Sequence, residues 1–408
     1  MKILMVVGGY PPEDCGGTEV FTQILSEGLV NKRKCKVVVL CMGKQQSVKV
    51  INDVQVYRRK IRNISFLERF YLVYFINKIL HMYNPFNKKM FEEILDKEKP
   101  DIIHINMLRM FSPSIVLVAK KRKIPIVQTL HELYSLWNFN PFKGRKVENL
   151  LNSRPSFLVN SLREKQRKIL TNVQAVTAPS QYVLNIFEEE GYYRFSRKEV
   201  IPNAFPYDIK KIENIYNERL IKLKKKQEIN FLFVGRLVPE KGIELLLDVF
   251  LDIKLPSINL FFMGTGPLED KIIQAIKQDH RIHYMGFLSG KEKSDAFKSC
   301  DVLILPSEST LFPETFGLVL LEAYMHGIPC IASNKGGIPE VVENNKTGIL
   351  ILPGSFLELK KAILYFSNPI NIQKSLPYCL KKIKRYDYDI MLDEYISTYR
   401  YVLKSNMS

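Results

Sequence analysis

The sequence predicts an α/β protein made of two tandem, doubly wound parallel-sheet domains. Three observations carry that prediction. Short runs rich in valine, isoleucine and leucine recur at intervals long enough for a crossover helix. The pattern breaks over residues 206–228 and then restarts. Finally, 46% of the 408 residues are apolar. That is too apolar for a disordered chain, and too long for one core, since cores stop growing near ~250–300 residues.

The first domain opens with the strand-like run Ile3–Val7 and a Gly/Pro turn. A helix follows from Thr18, where Val20, Phe21, Ile24, Leu25 and Leu29 share one face. Further buried strands are expected at Lys36–Leu40, Asp101–Ile105, Ile124–Val127 (the run extends to Thr129), Ala175–Ala178 and Val200–Ile201. Residues 206–228 carry Lys222, Lys224, Lys225 and Lys226 with few buried-looking positions, and read as a helix or linker. The second domain has strand candidates at Ile229–Val234, Ile258–Met263, Ile282–Tyr284, Val302–Leu305, Ile328–Ala332 and Gly348–Leu352. Helices are expected near 243–253, 268–277, 291–299, 317–326 and 355–366. The domains are placed at 1–205 and 206–390. Sheets of this kind take ligands at the carboxyl ends of their strands, and two of them in tandem leave a cleft between those ends.

Several function classes are excluded. No apolar run approaches the ~20 residues that cross a bilayer. The start, MKILMVV, has too short an apolar run for a signal peptide. Six cysteines without a CxxC pair fit a reducing cytosol better than a disulfide scaffold or a zinc site. A cytoplasmic location is expected. The net charge of +18 invites a nucleic-acid reading, but residues 1–200 hold 33 Lys/Arg against 18 Asp/Glu. The excess therefore sits in the first half, and no nucleic-acid-binding motif accompanies it.

The chemistry-bearing residues cluster at strand ends. Gly16 and Gly17 lie between the first strand and the first helix, where free amides and missing side chains suit an anion; an ordinary turn is the alternative. Arg236 and Lys241 bracket the turn after Ile229–Val234. Two cations there suit a pyrophosphate, against the alternative of two solvated surface charges. Glu314 precedes a helix whose first turn includes Phe316, Gly317 and Leu318, and Glu322 lies eight residues further on. The helix start can hold a phosphate, and a carboxylate two turns in can accept from a ribose diol. Glu322 has Leu320, Leu321 and Ala323 beside it, so it needs a polar partner. His131 follows the strand Ile126–Thr129, while His104 and Asn106 end the one before it. A lone histidine is more often structural. Gly264-Thr265-Gly266 is no GxGxxG fingerprint, so a Rossmann dehydrogenase is not expected.

The segments GGYPPEDCGGTE, VGRLVPEKG, FMGTGP, YMGFLS, ETFGLVLLEAYMHGIPCIAS, GGIPEVV and TGIL resemble the retaining GT-B glycosyltransferases of family 4. The resemblance spans nearly the whole chain and is strongest from Phe231 to Leu352. It implies two Rossmann-like domains facing a central cleft, with a C-terminal helix near Met391–Leu403, within 391–408, crossing back to the first. It implies that Gly16 and Gly17 approach the donor diphosphate and that Arg236 and Lys241 neutralise it as the leaving group. Glu322 would bind the ribose, and Glu314 the donor sugar. The amides around Phe316, Gly317 and Leu318 would help hold sugar and phosphates. His131 would lie near the reacting carbon, and the loop Gly286–Leu288, with Phe287, would edge the base. Two departures stand out: Pro202-Asn203-Ala204-Phe205-Pro206 replaces a Pro-Asn-Gly turn, and LYSLWNFNPFKGRK has no cysteine where some relatives do.

The expected function is transfer of a sugar from a nucleotide-diphosphate sugar, UDP- or GDP-linked, to a glycan or lipid-linked acceptor, as in cell-surface polysaccharide or glycolipid synthesis. No metal or other cofactor is expected. The basic first domain suits peripheral contact with an anionic membrane. Its clusters are Arg58, Arg59, Lys60 and Arg62, then Lys120–Lys123, then Lys143, Arg145 and Lys146, with an aromatic stretch at 66–83. The alternatives are a non-transferring sugar-nucleotide enzyme of the same fold, such as an epimerase, and a basic anion- or nucleic-acid-binding protein.

Overall fold

The computed structural model describes residues 1–13, 16–60, 79, 82–108, 111–133, 136, 157–308 and 313–406. Most of the aromatic stretch at 66–83, the basic residues Arg62, Lys143, Arg145 and Lys146, and most of LYSLWNFNPFKGRK lie outside the described residues. The chain divides into two compact units, Met1–Asn203 with Asp389–Ser408, and Ala204–Tyr388.

In chain order the first unit has β1 (Lys2–Val6), α1 (Gly17–Asn31), β2 (Lys36–Met42), β3 (Ser47–Ile51), β4 (Val54–Arg59), α2 (Pro85–Glu98) and β5 (Ile102–Ile105). It continues through α3 (Ser114–Lys121), β6 (Ile126–Thr129), α4 (Phe157–Leu170), β7 (Ala175–Ala178), α5 (Gln181–Glu189) and β8 (Arg197–Val200). The strands form one sheet in the order β3-β4-β2-β1-β5-β6-β7-β8, parallel except for the β3–β4 hairpin. Ile3 to Val6 are wholly buried, as a central strand covered on both faces requires. β3 and β4 are additions to the expected strands. β3 is an edge strand with an exposed middle, so its apolar signal is weak. The strand expected at Val200–Ile201 lies slightly earlier, at Arg197–Val200.

The C-terminal helix, Tyr388–Ser405, docks on this sheet through a buried polar chain. Tyr399 Oη meets His104 Nδ1 (2.7 Å), and His104 Nε2 meets Thr129 Oγ1 (2.7 Å). Thr129 Oγ1 also meets Thr177 Oγ1 (2.7 Å) and Tyr395 Oη (3.2 Å). Both nitrogens of His104 are thus engaged. Its role is structural, clamping the helix across β5, β6 and β7. At the surface, Lys32 pairs with Asp389 (2.8 Å) and Arg33 with Asp393 (2.8 Å).

The second unit begins with α6 (Ile209–Leu223). The lysine-rich segment is amphipathic rather than a bare linker. Ile212, Tyr216, Arg219 and Leu223 are buried, and Arg219 donates to the carbonyls of Cys300 (2.7 Å) and His326 (2.9 Å). Asp301 neutralises that guanidinium (3.4 Å) together with Lys226 (2.6 Å). There follow β9 (Ile229–Val234), α7 (Ile243–Asp252), β10 (Ile258–Met263), α8 (Glu269–Gln278), β11 (Ile282–Tyr284), α9 (Gly290–Ser299) and β12 (Val302–Leu305). The unit ends with α10 (Leu318–Met325), β13 (Cys330–Ser333), α11 (Ile338–Val341), β14 (Gly348–Ile351), α12 (Phe356–Phe366) and α13 (Pro369–Ile383). The sheet order is β11-β10-β9-β12-β13-β14, with every pairing parallel. This is the doubly wound order that reverses at its centre, here between β9 and β12.

The loops leaving β9 and β12 meet at that reversal. Gly242 has φ +70°, and a Cβ built on it would fall 2.0 Å from the Pro306 carbonyl oxygen. Only glycine fits. Gly242→Ala should therefore destabilise the protein by at least about 2 kcal/mol through backbone strain and forced separation of the loops. Urea unfolding of the variant beside the parent measures this, and a midpoint unchanged at equal slope would refute it.

Candidate active site

The unit 2 candidates gather at the carboxyl edge of its sheet. Arg236 is exposed in the loop after β9, and Lys241 ends a short 3₁₀ turn, Pro239–Lys241. Lys241 Nζ forms an ion pair with Glu314, the residue expected to meet a sugar. Glu314 is held from behind by backbone. Gly337 N donates to its carbonyl (2.8 Å), and Gly336, at φ +68°, lies so close that a Cβ there would fall 2.2 Å from that same oxygen. Gly317, at φ +84°, is the N-cap of α10, and Leu318 is the first residue of that helix. In its first turn Leu320 N donates back to Gly317 O (2.9 Å), while the amides of Leu318 and Val319 come too early in the helix for an acceptor within it. Phe316 is buried edge-on against Tyr386 (5.8 Å). The hydroxyls of Ser307 and Ser333, just after β12 and at the end of β13, are buried without a hydrogen-bond partner among the described residues. Sequence reasoning did not single them out, because a serine after a strand carries no signal of its own.

Glu322 lies on the second turn of α10. The partner that its apolar neighbours demanded is inside the chain: Lys293 of α9, at 2.5 Å. His326 Nδ1–H donates to the Glu322 carbonyl (2.7 Å) one turn later. Phe287 is 66% exposed in the loop after β11, and Leu288 beside it is half-buried. That loop is tied down where Gly264 N donates to Gly286 O (2.8 Å).

In unit 1, Gly16 caps α1. Its amide donates to Glu19 Oε2 (3.1 Å), so a carboxylate of the chain already uses one donor of this anion-suited turn. Gly17 is exposed beside it. His131 follows β6 and Asn106 follows β5, next to the reversal of this sheet between β1 and β5. His131 Nε2 lies 3.3 Å from Asn106 Oδ1. Because that oxygen only accepts, the imidazole carries its proton on Nε2. The His131 ring also packs on Phe21 of α1 (4.5 Å). Burial lowers the pKa of His131 to about 3, and burial, then the His131 charge, does the same for His104.

Residues 15–208 match the model of Glycosyltransferase Family 4, and residues 215–374 match that of Glycosyl transferases group 1. This chain belongs to the family 4 glycosyltransferases and has the GT-B fold. An uncharacterized glycosyltransferase of Methanocaldococcus jannaschii is 27% identical over 368 residues, covering 86% of this chain and 85% of that one. An uncharacterized protein of the cps region of Klebsiella pneumoniae is 25% identical over 414 residues, covering 98% of this chain and 100% of that one. Among solved structures, sucrose-phosphate synthase of Thermosynechococcus elongatus superposes with a TM-score of 0.75 at 19% identity, covering 99% of each chain. HepE of Anabaena in complex with UDP-glucose superposes at 0.67 and 18% identity, covering 98% of this chain and 100% of that one.

Arg58 requires a correction to the basic clusters. It is buried, donates to the Tyr10 carbonyl (2.8 Å) and pairs with Glu13 (3.4 Å), so it is no surface cation. Lys120–Lys123 are exposed, with Arg122 paired to Asp96. Among the described residues no helix is long and apolar enough to cross a membrane.

The two neutral histidines make stability depend on pH. Between about 6.5 and about 3 the unfolded chain binds protons that the folded chain refuses. Stability is therefore full above that window and falls as pH drops through it, by up to ~1.4 kcal/mol per pH unit for each histidine. Urea unfolding between pH 7.5 and 5 should show this slope, with part of it removed in His104→Gln. A flat profile in the parent protein would disprove neutral burial.

Proposed function

We propose that the chain is a retaining glycosyltransferase that moves a hexosyl group from a UDP- or GDP-linked sugar to a hydroxyl of a glycan or lipid-linked acceptor. The observation that carries the reading is the Lys241–Glu314 pair with Arg236 nearby in sequence, set where the second sheet reverses and beside the start of α10. The family membership and the UDP-glucose complex of HepE support the donor class. The cps-region relative supports a role in polysaccharide synthesis.

The reaction breaks the bond between C1 of the sugar and a diphosphate oxygen and forms one from C1 to the acceptor oxygen. The acceptor proton passes to the departing diphosphate, on the same face, which keeps the anomeric configuration. Negative charge grows on the leaving group. Arg236, Lys241 and the amides at the start of α10 aim positive potential at it. On this reading these groups do what a divalent metal does in other transferases, and no cofactor takes part. Glu314 would contact the sugar hydroxyls, and Glu322 the ribose, each trading its lysine for a substrate contact. Phe287 and Leu288 would border the base. His131, neutral by burial, would offer a polar but uncharged face to the hexose.

The acceptor side would use the basic first unit, including the exposed Lys120–Lys123, to meet an anionic surface or a lipid diphosphate, at ~1 kcal/mol per cation near a charged membrane. The enzyme would then work on the cytoplasmic face, as a peripheral protein.

Arg236→Ala or Lys241→Ala should lower transfer by ~10²-fold or more, the scale of losing an oxyanion donor. Initial rates on a nucleotide-sugar panel check this, and near-native rates in folded variants would sink the assignment. Glu322→Ala should weaken donor binding more than turnover. Calorimetric titration with the donor reads it, an unchanged affinity being the contrary result. Proton NMR of the first-formed product should show the donor's anomeric configuration, and an inverted product would reject the retaining route.

A further inference from the structure

The two histidines that sequence reasoning singled out in the first unit are treated differently by the fold. His104 engages both ring nitrogens with Tyr399 and Thr129, and nothing of it is left for a ligand. His131 gives its Nε2–H to Asn106 Oδ1, and the other half of that amide is not used by any of the described residues. Asn106 is 2% exposed, and its Nδ2 has no hydrogen-bond partner among the described residues. A buried N–H without an acceptor stays desolvated at a cost in free energy, and natural structures rarely leave one. The residue is pinned in place, since its backbone N donates to Val6 O on the central strand (2.8 Å). Asn106 and His131 line one small cavity whose other polar lining is Gln128, Thr129 and Glu132, at the carboxyl ends of β5 and β6. That is the edge at which such sheets take ligands.

The chemistry of the cavity narrows the ligand. Its unused donor is a neutral amide, the adjoining imidazole is neutral as well, and the remaining polar lining is Gln128, Thr129 and the Glu132 carboxyl. None of these offers the positive charge that a phosphate or carboxylate needs. An uncharged oxygen suits it.

We propose that Asn106 is a specificity-determining residue that donates its Nδ2–H to a hydroxyl oxygen of the transferred sugar bound beside His131. The proposal rests on the transfer reading above. Asn106 does two things with one amide: its oxygen fixes the tautomer and tilt of His131, and its nitrogen reads one position of the sugar ring.

The test uses the full chain, the preferred nucleotide sugar and that donor's set of monodeoxy analogues. Initial rates of transfer, or of donor hydrolysis, are measured for the parent protein, N106A and N106D. N106D keeps the volume and shape of the side chain and lacks the donor, and it serves if N106A fails to fold. One analogue should lower kcat/KM of the parent protein by ~10–100-fold, the equivalent of one such hydrogen bond. The variants should lose a similar factor on the natural donor and nothing further on that analogue. Every other analogue should carry the same penalty in variant and parent. If the penalties multiply for all analogues, or if no analogue costs the parent protein more than about threefold, a direct contact is overturned, since ~0.6 kcal/mol falls below such a bond. If the parent protein turns over no nucleotide sugar at all, the transfer reading itself fails and this proposal with it.

Discussion

The ion pair between Lys241 and Glu314 forms because two pairs of backbone segments approach more closely than a residue with a β-carbon allows. Gly242 lies against the Pro306 carbonyl and Gly336 against that of Glu314. The first contact draws the loop after β9 onto the loop after β12. The second fixes the backbone of Glu314 from the β13 side. Three neighbouring parallel strands thus deliver one cation, one carboxylate and one helix start to a single edge. The pattern follows from doubly wound topology, which splits the connections to opposite faces and opens a crevice where they part. Glycine lets that crevice be lined by backbone instead of being filled by side chains.

The first unit solves a different problem. Its sheet must hold a helix that arrives from the far end of the chain, and apolar packing alone is poorly directional. The buried chain Tyr399–His104–Thr129–Tyr395 adds direction, because each hydroxyl or ring nitrogen accepts only a narrow geometry. Such a network is costly if broken, since each buried partner left behind stays desolvated. The same strands β5 and β6 end in Asn106 and His131. The clamp that seats the C-terminal helix therefore also steadies the strand ends from which those two side chains project.

Much of this was legible in the sequence, and the misses have physical causes. Central strands such as Ile3–Val6 and Val302–Leu305 are buried on both faces, so they appear as unbroken apolar runs. The β3–β4 hairpin did not, because Val48, Lys49 and Val50 face solvent at a sheet edge. α13 carries Pro377 within it, which breaks the helical reading. Charge was the weakest guide. Arg58 and Arg219 count as cations in the sequence but serve as buried donors to carbonyls, and composition does not distinguish the two uses. Glu322 was read correctly as needing a partner, but Lys293 lies on another helix, and only the fold brings them together.

The internal pairs bear on how an anion would bind. Lys241 is met by Glu314, Lys293 by Glu322, and the Gly16 amide by Glu19. Lys241, Lys293 and the Gly16 amide thus each have a carboxylate of the chain beside them, while Arg236 is exposed in the loop after β9. A lone half-buried cation would be costly, and the pairing removes that cost. On the proposed reading, a diphosphate competes with these carboxylates rather than filling an unmet charge. It carries more charge than one carboxylate and can reach several donors at once, so it wins where Arg236, Lys241 and the α10 amides act together. A carboxylic acid or a single phosphate lacks that reach. Selection for the diphosphate then comes from the competition itself: the internal carboxylates set a threshold that only a multiply charged, extended ligand passes.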